Sequence, residues 1–423
     1  MLHADFLIRN AREILTCAGP APLAGVRQAD VSAMTGASLA ARDGRIVFVG
    51  TAVEADEHVA LVPGATVIEA SDHAVVPGFV DAHTHAVFAG DRRAELRRRL
   101  AGATYAEIAA AGGGIVSTVT ATRDATEEEL VAQSRPRLDE MLACGTTTCE
   151  IKSGYGLDVE SELRMLRAIA SLQRDHCVGI VPTFMGAHEV PREYRGRRDD
   201  YVDLVIREML PAVVAEGLAD WCDVFCESGV FTPGNSRRIL EAGLRHGLKP
   251  RIHADELGAS GGSLIAAQVG ARSADHLIFI PEAGIAALGA AGVVATLLPN
   301  AAFYLKLGRF APARALIAAT VPVALATDVN PGGGFSPSMP FAIALGCFSM
   351  DMTFEEALVA ATINGAWSLD VSDSTGSLEV GKLADAVVVR GEAINLIRMG
   401  AASIAAVVKR GRIVGHGTTR ATV

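Results

Sequence analysis

The sequence predicts an α/β protein: a (β/α)8 TIM-like barrel with a small β-sandwich domain built from both ends of the chain. Three observations predict it. Eight strand-like runs alternate with helix-like ones between about Val75 and Asp328. Both flanks instead hold short β-like pieces separated by Gly and polar turns. Five of the 11 histidines fall at the C-terminal ends of the strand-like runs, where a barrel gathers side chains on one face.

The elements follow in order. Residues 1–74 contain FLIRNAREIL, ASLAARDGRIVFVG and ATVIEAS, the first part of the small β domain. Residues 75–374 form the barrel. Its strands are expected at AVVPGFVDA, TTTCEIKS, VGIVPTFMGAH, WCDVFCE, LKPRIHAD, RSADHL, VVATLLP and VPVALATD. Helical patterns lie between most of them. One starts at Thr126, whose hydroxyl and the Glu129 carboxylate three residues on can satisfy free backbone N–H groups. Others are ESELRMLRAIASLQRD, YVDLVIREMLPAVVAEG, PGNSRRILEAGLRHG and PARALIAAT. A doubly wound sheet would want a Gly-rich phosphate loop after the first strand, and that strand ends in HTH instead. Residues 375–423 repeat the flank style, and the GRIV pieces at Gly44 and Gly411 both read as strands after a turn. Pro77-Gly78 and Ser374–Gly376 mark the boundaries.

Composition bounds the function. With 423 residues the chain exceeds the roughly 250–300 at which single cores stop growing. Half of the residues are hydrophobic and 20% are charged, as in a folded protein with much buried surface. Net charge is −10, and the arginines at 97–99 and 195–198 sit among acidic residues, so no nucleic-acid partner is expected. From Ala283 to Tyr304 no residue is charged, about the length of a membrane span. Gly284, Gly289, Gly292 and Pro299-Asn300 break this run into a short helix and a buried strand, so no membrane association is expected. Seven cysteines without a C-x-x-C pair, and an N-terminus unlike a signal peptide, read as reduced thiols in the cytoplasm.

The strand ends carry the chemistry. In order they bring Asp81, His83 and His85; Glu150, Lys152 and Tyr155; His188; Glu227; His253, Asp255 and Glu256; Asp275 and His276; Asn300; Asp328 and Asn330. Residues two apart on a strand face the same way, so His83 and His85 can grip one ion together. His253 and Asp328 would complete a site of three nitrogens and one oxygen. That set suits one divalent transition ion, zinc or iron, and is too nitrogen-rich for calcium or magnesium. Water on such an ion falls from a pKa of about 9 toward about 7. An HxH pair alone is a weak signal. Asp328 read alone is equally a turn residue before Asn330-Pro331, and Glu256 a solvated loop carboxylate.

PGFVDAHTH, with His253, His276 and Asp328 downstream and GSLEVGKLADAVVV in the tail, resembles the amidohydrolase superfamily. Within it the chain is most similar to the imidazolonepropionase family. HTHAVFAGDR, YAEIAAAGGGIVSTVTATR, TTTCEIKSGYGLD, FMGAHEVPREY, CDVFCESGVF, IHADEL, SADHL and ALATDVNPG carry the likeness across nearly the whole barrel.

The resemblance implies a hydrolase acting on a carbon–nitrogen bond of a cyclic amide in histidine degradation. It opens 4-imidazolone-5-propanoate to N-formimidoyl-L-glutamate. It places zinc or iron on His83, His85, His253 and Asp328, and substrate contacts on Arg92, Tyr155, His188 and Glu256. Asn330 and Gly332 match the product-binding loop. The family usually has a small hydroxyl residue where this chain has Gly333, whose backbone N–H is the expected substitute. Catalytic roles fall to Glu256, His276 and Asp328. Glu256 either holds a ring N–H or carries the proton to the leaving nitrogen, and His188 or His276 meets the developing oxyanion. Lys152, within EIKSGYG, goes with a single metal. Another cyclic-amide hydrolase or aminohydrolase is the rival enzyme, and a metal-free scaffold the rival of another class. The expected partners are the small-molecule substrate and water, and a homodimer is left open.

Overall fold

The computed structural model describes residues 1–103, 107, 113–399 and 403–416. Much of YAEIAAAGGG, from the family-specific stretch, lies outside the described residues.

The two ends of the chain pair as their shared β-like style predicts. Strands β1 (Leu2–Leu15), β2 (Ala33–Arg42), β3 (Arg45–Thr51), β4 (Val59–Glu69) and β5 (His73–Pro77) come from the N-terminal side. The C-terminal side adds β14 (Ala386–Arg390), β15 (Ile404–Lys409) and β16 (Arg412–His416). They form one mixed sheet in the order β16-β15-β14-β5-β1-β2-β3, with β4 beside β1. The termini join where β5 and β14 run antiparallel, Val76 opposite Val387. The sheet bends back on itself until its two GRIV turns meet. Ala384 N–H donates to Gly44 O at 2.9 Å, and Gly411 N–H to Ala384 O at 3.0 Å. The enclosed face buries Phe6, Ile8, Leu39, Ile46, Val388 and Val408. The two layers of the sandwich are thus one continuous sheet.

The barrel strands are β6 (Phe79–Asp81), β7 (Thr146–Lys152), β8 (Gly179–Ala187), β9 (Trp221–Cys226), β10 (Lys249–Ala254), β11 (Ser273–His276), β12 (Val294–Leu297) and β13 (Val323–Leu325). Each is parallel to the next. The run AVVPGFVDA, read as one strand, is two: β5 belongs to the small sheet and β6 to the barrel. The break is at Pro77-Gly78. Proline has no N–H for a ladder, Gly78 N–H donates to Asp385 O at 2.9 Å, and a Cβ at 78 would overlap the Thr147 side chain.

The helices follow the sequence signals. Thr126 and Glu129 make the reciprocal cap at the start of the helix Glu127–Ala143. The stretch YVDLVIREMLPAVVAEG is helical, but Val205–Met209 widens to a π turn just before Pro211, which cannot donate to the turn behind it. The uncharged run divides into the helix Glu282–Ala291 and β12. Among the described residues, no helix is long and apolar enough to cross a membrane.

One buried amide ties the N-terminal segment to the barrel. Asn364 Oδ1 accepts from Leu23 N–H at 2.9 Å, and its Nδ2 donates to Leu23 O at 2.8 Å and Val323 O at 2.9 Å. An unpaired buried backbone group costs about 1–3 kcal/mol. Asn364→Leu orphans both Leu23 groups and is expected to destabilise the fold by about 2–4 kcal/mol on that basis. A urea denaturation midpoint equal to wild type would show that this tie carries no stability.

Candidate metal centre and active site

The barrel closes through the very residues that carry its chemistry. Past the ends of β6 and β13, His83 O accepts from Asp328 N–H at 3.1 Å and His85 N–H donates to Val329 O at 2.9 Å. Asp81 stitches the same seam, accepting from Thr327 N–H at 2.9 Å and its hydroxyl at 2.6 Å. This extended pairing puts His83 and His85 on one side, as the spacing predicts. Asp328 (φ 53°) and His276 (φ 75°) sit in the left-handed region, which disfavours side chains and is often tolerated at functional sites.

His83, His85 and His253 offer ring nitrogens within 4.8 Å of one another, all buried. Asp328 Oδ1 lies 3.6 Å from His83 Nε2 and 3.8 Å from His85 Nε2. The protonation pattern tests whether these atoms suit a cation. His83 Nδ1 is 2.6 Å from Asp275 Oδ2, and His253 Nδ1 is 3.0 Å from Asp223 Oδ1. Anionic carboxylates only accept, so both Nδ1 atoms carry the proton and both Nε2 atoms present lone pairs. Among the described residues His83 Nε2 has no hydrogen-bond partner. His253 Nε2 instead faces His85 Nε2 at 3.3 Å, an approach that a proton or a cation must mediate. Burial, then the nearby Lys152 ammonium and neighbouring imidazoles, push His83 well below the usual histidine range; burial and the adjacent imidazoles do the same to His85. Neutral imidazoles converging beside a carboxylate fit a divalent transition ion.

Beneath this centre lies a floor of buried charge. Lys152 Nζ donates to Glu150 and Asp223, both at 2.7 Å, and sits 3.8 Å from Asp275. Arg251 lies 3.3 Å from both Glu150 and Asp275. All five side chains are 0% exposed, so none of these charges is solvated by bulk water. Burial alone would raise the Asp223 carboxyl, yet His253 and Lys152 hold it well below the usual range.

A cavity of about 490 Å³ opens over the centre, bordered by His85, His253 and Asp328 and by Arg92, Tyr155 and His188. Glu256, His276, Asn330, Gly332 and Gly333 also border it. Every expected site residue except His83, which lies beneath His85 and His253, therefore lines one space. A larger cavity of about 1140 Å³ beside Arg192–Arg198 is lined by none of the strand-end histidines.

Within the site, Arg92 is 8% exposed, too buried for a surface arginine. Its Nε and Nη2 donate to Glu95 Oε2 at 2.9 and 2.7 Å. Glu95 Oε1 in turn accepts from Gly114 N–H at 3.0 Å and the Ser117 hydroxyl at 3.3 Å, linking Arg92 to the GGGI-x-S segment. The His188 ring stacks on His85, centroids 4.8 Å apart. Its Nδ1 donates to Gly154 O at 3.0 Å, which leaves Nε2 as an acceptor on the neutral ring. Burial pushes His188 down to about 3. His276 Nε2 is 3.7 Å from Glu256 Oε2. Burial, then the Asp328 and Glu227 charges, push Glu256 well above the usual carboxylate range.

The loop after β13 corrects one expectation. Gly333 N–H donates to Asn330 Oδ1 at 2.6 Å and Gly332 N–H to the same oxygen at 2.8 Å. An N–H committed to Asn330 cannot stand in for a missing side-chain hydroxyl. Ser336 does not border the cavity, so its hydroxyl is no replacement either. The three glycines differ in what they permit. A Cβ at Gly332 would overlap the Arg92 guanidinium, and one at Gly334 the Asp328 carbonyl. At Gly333 it would meet only Leu305, at an ordinary 3.4 Å.

Asp223, Glu95 and Arg99 were not singled out in the sequence, and Asp275 was noted only as a strand end. For Asp223 a signal existed: it shares strand parity with Phe225 and Glu227, and Phe225 borders the cavity. Glu95 and Arg99 sit in a charged helix start where nothing in the pattern separates buried from solvated residues.

The amidohydrolase family model matches residues 74–414. The chain is 50% identical over 424 residues to the imidazolonepropionase of Symbiobacterium thermophilum, covering 99% of this chain and all of that one. It is 46% identical to that of Alkaliphilus metalliredigens, covering 98% of each. Among solved structures it is similar to a zinc-bound adenosine deaminase from Xanthomonas campestris, with a TM-score of 0.70, 21% identity, and 97% and 93% of the two chains covered. It is also similar to the zinc complex of atrazine chlorohydrolase from Arthrobacter aurescens, with a TM-score of 0.73, 18% identity, and 97% and 95% covered. Those two likenesses concern the fold alone. The full-length identity to curated relatives settles membership: the chain belongs to the amidohydrolase family and, within it, to the imidazolonepropionases.

Proposed function

We propose that the chain hydrolyses the cyclic amide of 4-imidazolone-5-propanoate to N-formimidoyl-L-glutamate, using one divalent ion, zinc or iron, on His83, His85, His253 and Asp328. One observation carries the reading: a single cavity is bordered both by the converging imidazoles and by buried Arg92. A metal hydrolase needs the first, and a substrate with a carboxylate needs the second. One cluster of converging imidazoles, with Lys152 committed to Glu150 and Asp223, supports a single ion.

An ion held there lowers the pKa of a coordinated water to about 7 and polarises a carbonyl. The chain's own residues do the rest. Arg92, oriented by Glu95, holds the propionate with its remaining N–H donors, a planar fork that lysine lacks. Tyr155 lines the same cavity, next to His85 and His188. His188 Nε2 accepts a ring N–H. Asp328 takes up a proton from the attacking water. His276 donates to the oxygen on which negative charge develops as the new C–O bond forms. Glu256 then gives a proton to the ring nitrogen as the C–N bond breaks. Asn330 shapes the loop that carries Gly332 and Gly333 around the substrate. Nucleic acid is no partner for a chain of charge −10. A reducing cytoplasm suits its seven free thiols.

The direct test is to add freshly generated imidazolonepropionate and follow its ultraviolet absorbance, with metal measured on the same sample. The expected result is turnover that a chelator abolishes and zinc or iron restores. Metal-loaded protein with no turnover would defeat the substrate assignment. Glu256→Gln is expected to cut kcat by roughly 100-fold or more at unchanged metal content, in the range general acid–base catalysis contributes. Near-normal turnover would remove Glu256 from the proton path. The glycine loop gives a paired comparison. Gly332→Ala should raise KM about tenfold or more by displacing Arg92, the loss of about 1.4 kcal/mol of binding. Gly333→Ser should keep or lower KM, because the site has room and regains a hydroxyl. Equal effects from the two substitutions would refute this account of the loop.

A further inference from the structure

We propose that Asp223 and Asp275, paired with the Lys152 ammonium and the Arg251 guanidinium, are positioning residues that fix which nitrogen of His253 and His83 faces the metal. The inference rests on the metal reading above and not on the choice of substrate.

Each carboxylate divides its oxygens between an imidazole and other donors. Asp223 Oδ1 meets His253 Nδ1 at 3.0 Å, while Oδ2 accepts from Lys152 at 2.7 Å. Asp275 Oδ2 meets His83 Nδ1 at 2.6 Å and Arg251 Nη2 at 3.3 Å, while Oδ1 accepts from the Ser273 hydroxyl. Glu150 anchors the two cations, 2.7 Å from Lys152 and 3.3 Å from Arg251, and accepts from the Thr183 hydroxyl at 2.5 Å. Lys152 is the shared element, touching Asp223 and lying 3.8 Å from Asp275. One buried ammonium therefore supports the two carboxylates behind two different candidate ligands.

The geometry makes a sharp demand. An imidazole whose Nδ1 donates to a carboxylate must offer its Nε2 lone pair. Asparagine keeps the size of aspartate but has one acceptor atom. At 223 that atom stays with the Lys152 ammonium, and the amide NH2 turns to His253. Nδ1 must then accept, the proton moves to Nε2, and that nitrogen cannot bind metal. At 275 His83 and Arg251 share one oxygen, which an asparagine could keep, so there the acceptor must be removed outright, as in Asp275→Ala. A merely structural carboxylate would lower stability on substitution without changing which ring nitrogen holds the proton.

Two measurements test this. In the metal-free full chain labelled with 15N-histidine, long-range 1H–15N spectra should assign the proton of His83 and of His253 to Nδ1. Zinc affinity, measured by competition with a chromophoric chelator, should fall roughly 10–100-fold in Asp223→Asn and in Asp275→Ala, the usual cost of losing such a partner. The melting temperature of the metal-free variants should fall, because each loses a buried partner of Lys152 or Arg251, so zinc affinity is read at a temperature where both variants are folded. Nε2 protonation in the wild-type spectrum, or wild-type zinc affinity in a folded variant, would overturn the role of that carboxylate. Should a variant fail to fold, the wild-type spectrum still decides. Zinc binding without turnover of imidazolonepropionate would defeat the proposed substrate and leave this inference standing.

Discussion

The structure depends on one buried ammonium. Lys152 has no solvent contact and holds Glu150 and Asp223 at 2.7 Å. An unpaired buried charge is strongly unfavourable, and breaking a buried pair typically costs about 3–5 kcal/mol. The carboxylates cannot be discharged by solvent, so they must be met by cations the fold supplies. Lys152 and Arg251 supply two. The deficit lies at the C-terminal end of the strands, where the neutral imidazoles and Asp328 converge. Charge balance inside the barrel and metal affinity at its mouth are one electrostatic problem.

The same residues close the barrel. β6 and β13 are only three residues long, and no regular ladder joins them. Their seam is made by the main chain of His83, His85, Asp328 and Val329 and by the Asp81 side chain on Thr327. Closure brings the ends of the first and last strands together, so fold and site form in one event. Asp328 reaches the histidines from a left-handed backbone conformation held at both neighbours by these hydrogen bonds.

Much of this was legible before any coordinates, for a physical reason. A barrel sends strand-end side chains to one place, so naming the strands goes far toward naming the site: His85, His188, His253, Glu256, His276 and Asp328 border the cavity, while Glu150, Glu227, Asp255 and Asn300 do not. What escaped was what the alternation of strand and helix does not encode. Asp223 stands mid-strand, where its charge looks like an exposed position, although strand parity placed it inside. The Pro77-Gly78 break was read as a domain boundary yet left inside one strand, because the apolar run continues across it. Whether Gly333 N–H was free depended on Asn330 turning back on its own loop, a local hydrogen bond that spacing does not predict.

The scaffold and the specificity separate cleanly. Solved structures only 16–21% identical to this chain share its fold over nearly its whole length, though their names speak of deaminases and other hydrolases. The fold alone therefore cannot choose a substrate. The cavity also holds a buried cation, Arg92, and that cation is placed by weak local rules. Glu95 accepts from it, Gly332 has no Cβ to exclude it, and the Gly114–Ser117 segment holds Glu95 in turn. None of these contacts touches the charged floor beneath the histidines. Loop residues can thus change the ligand while the buried network keeps the metal centre fixed, and that independence lets one barrel serve many reactions.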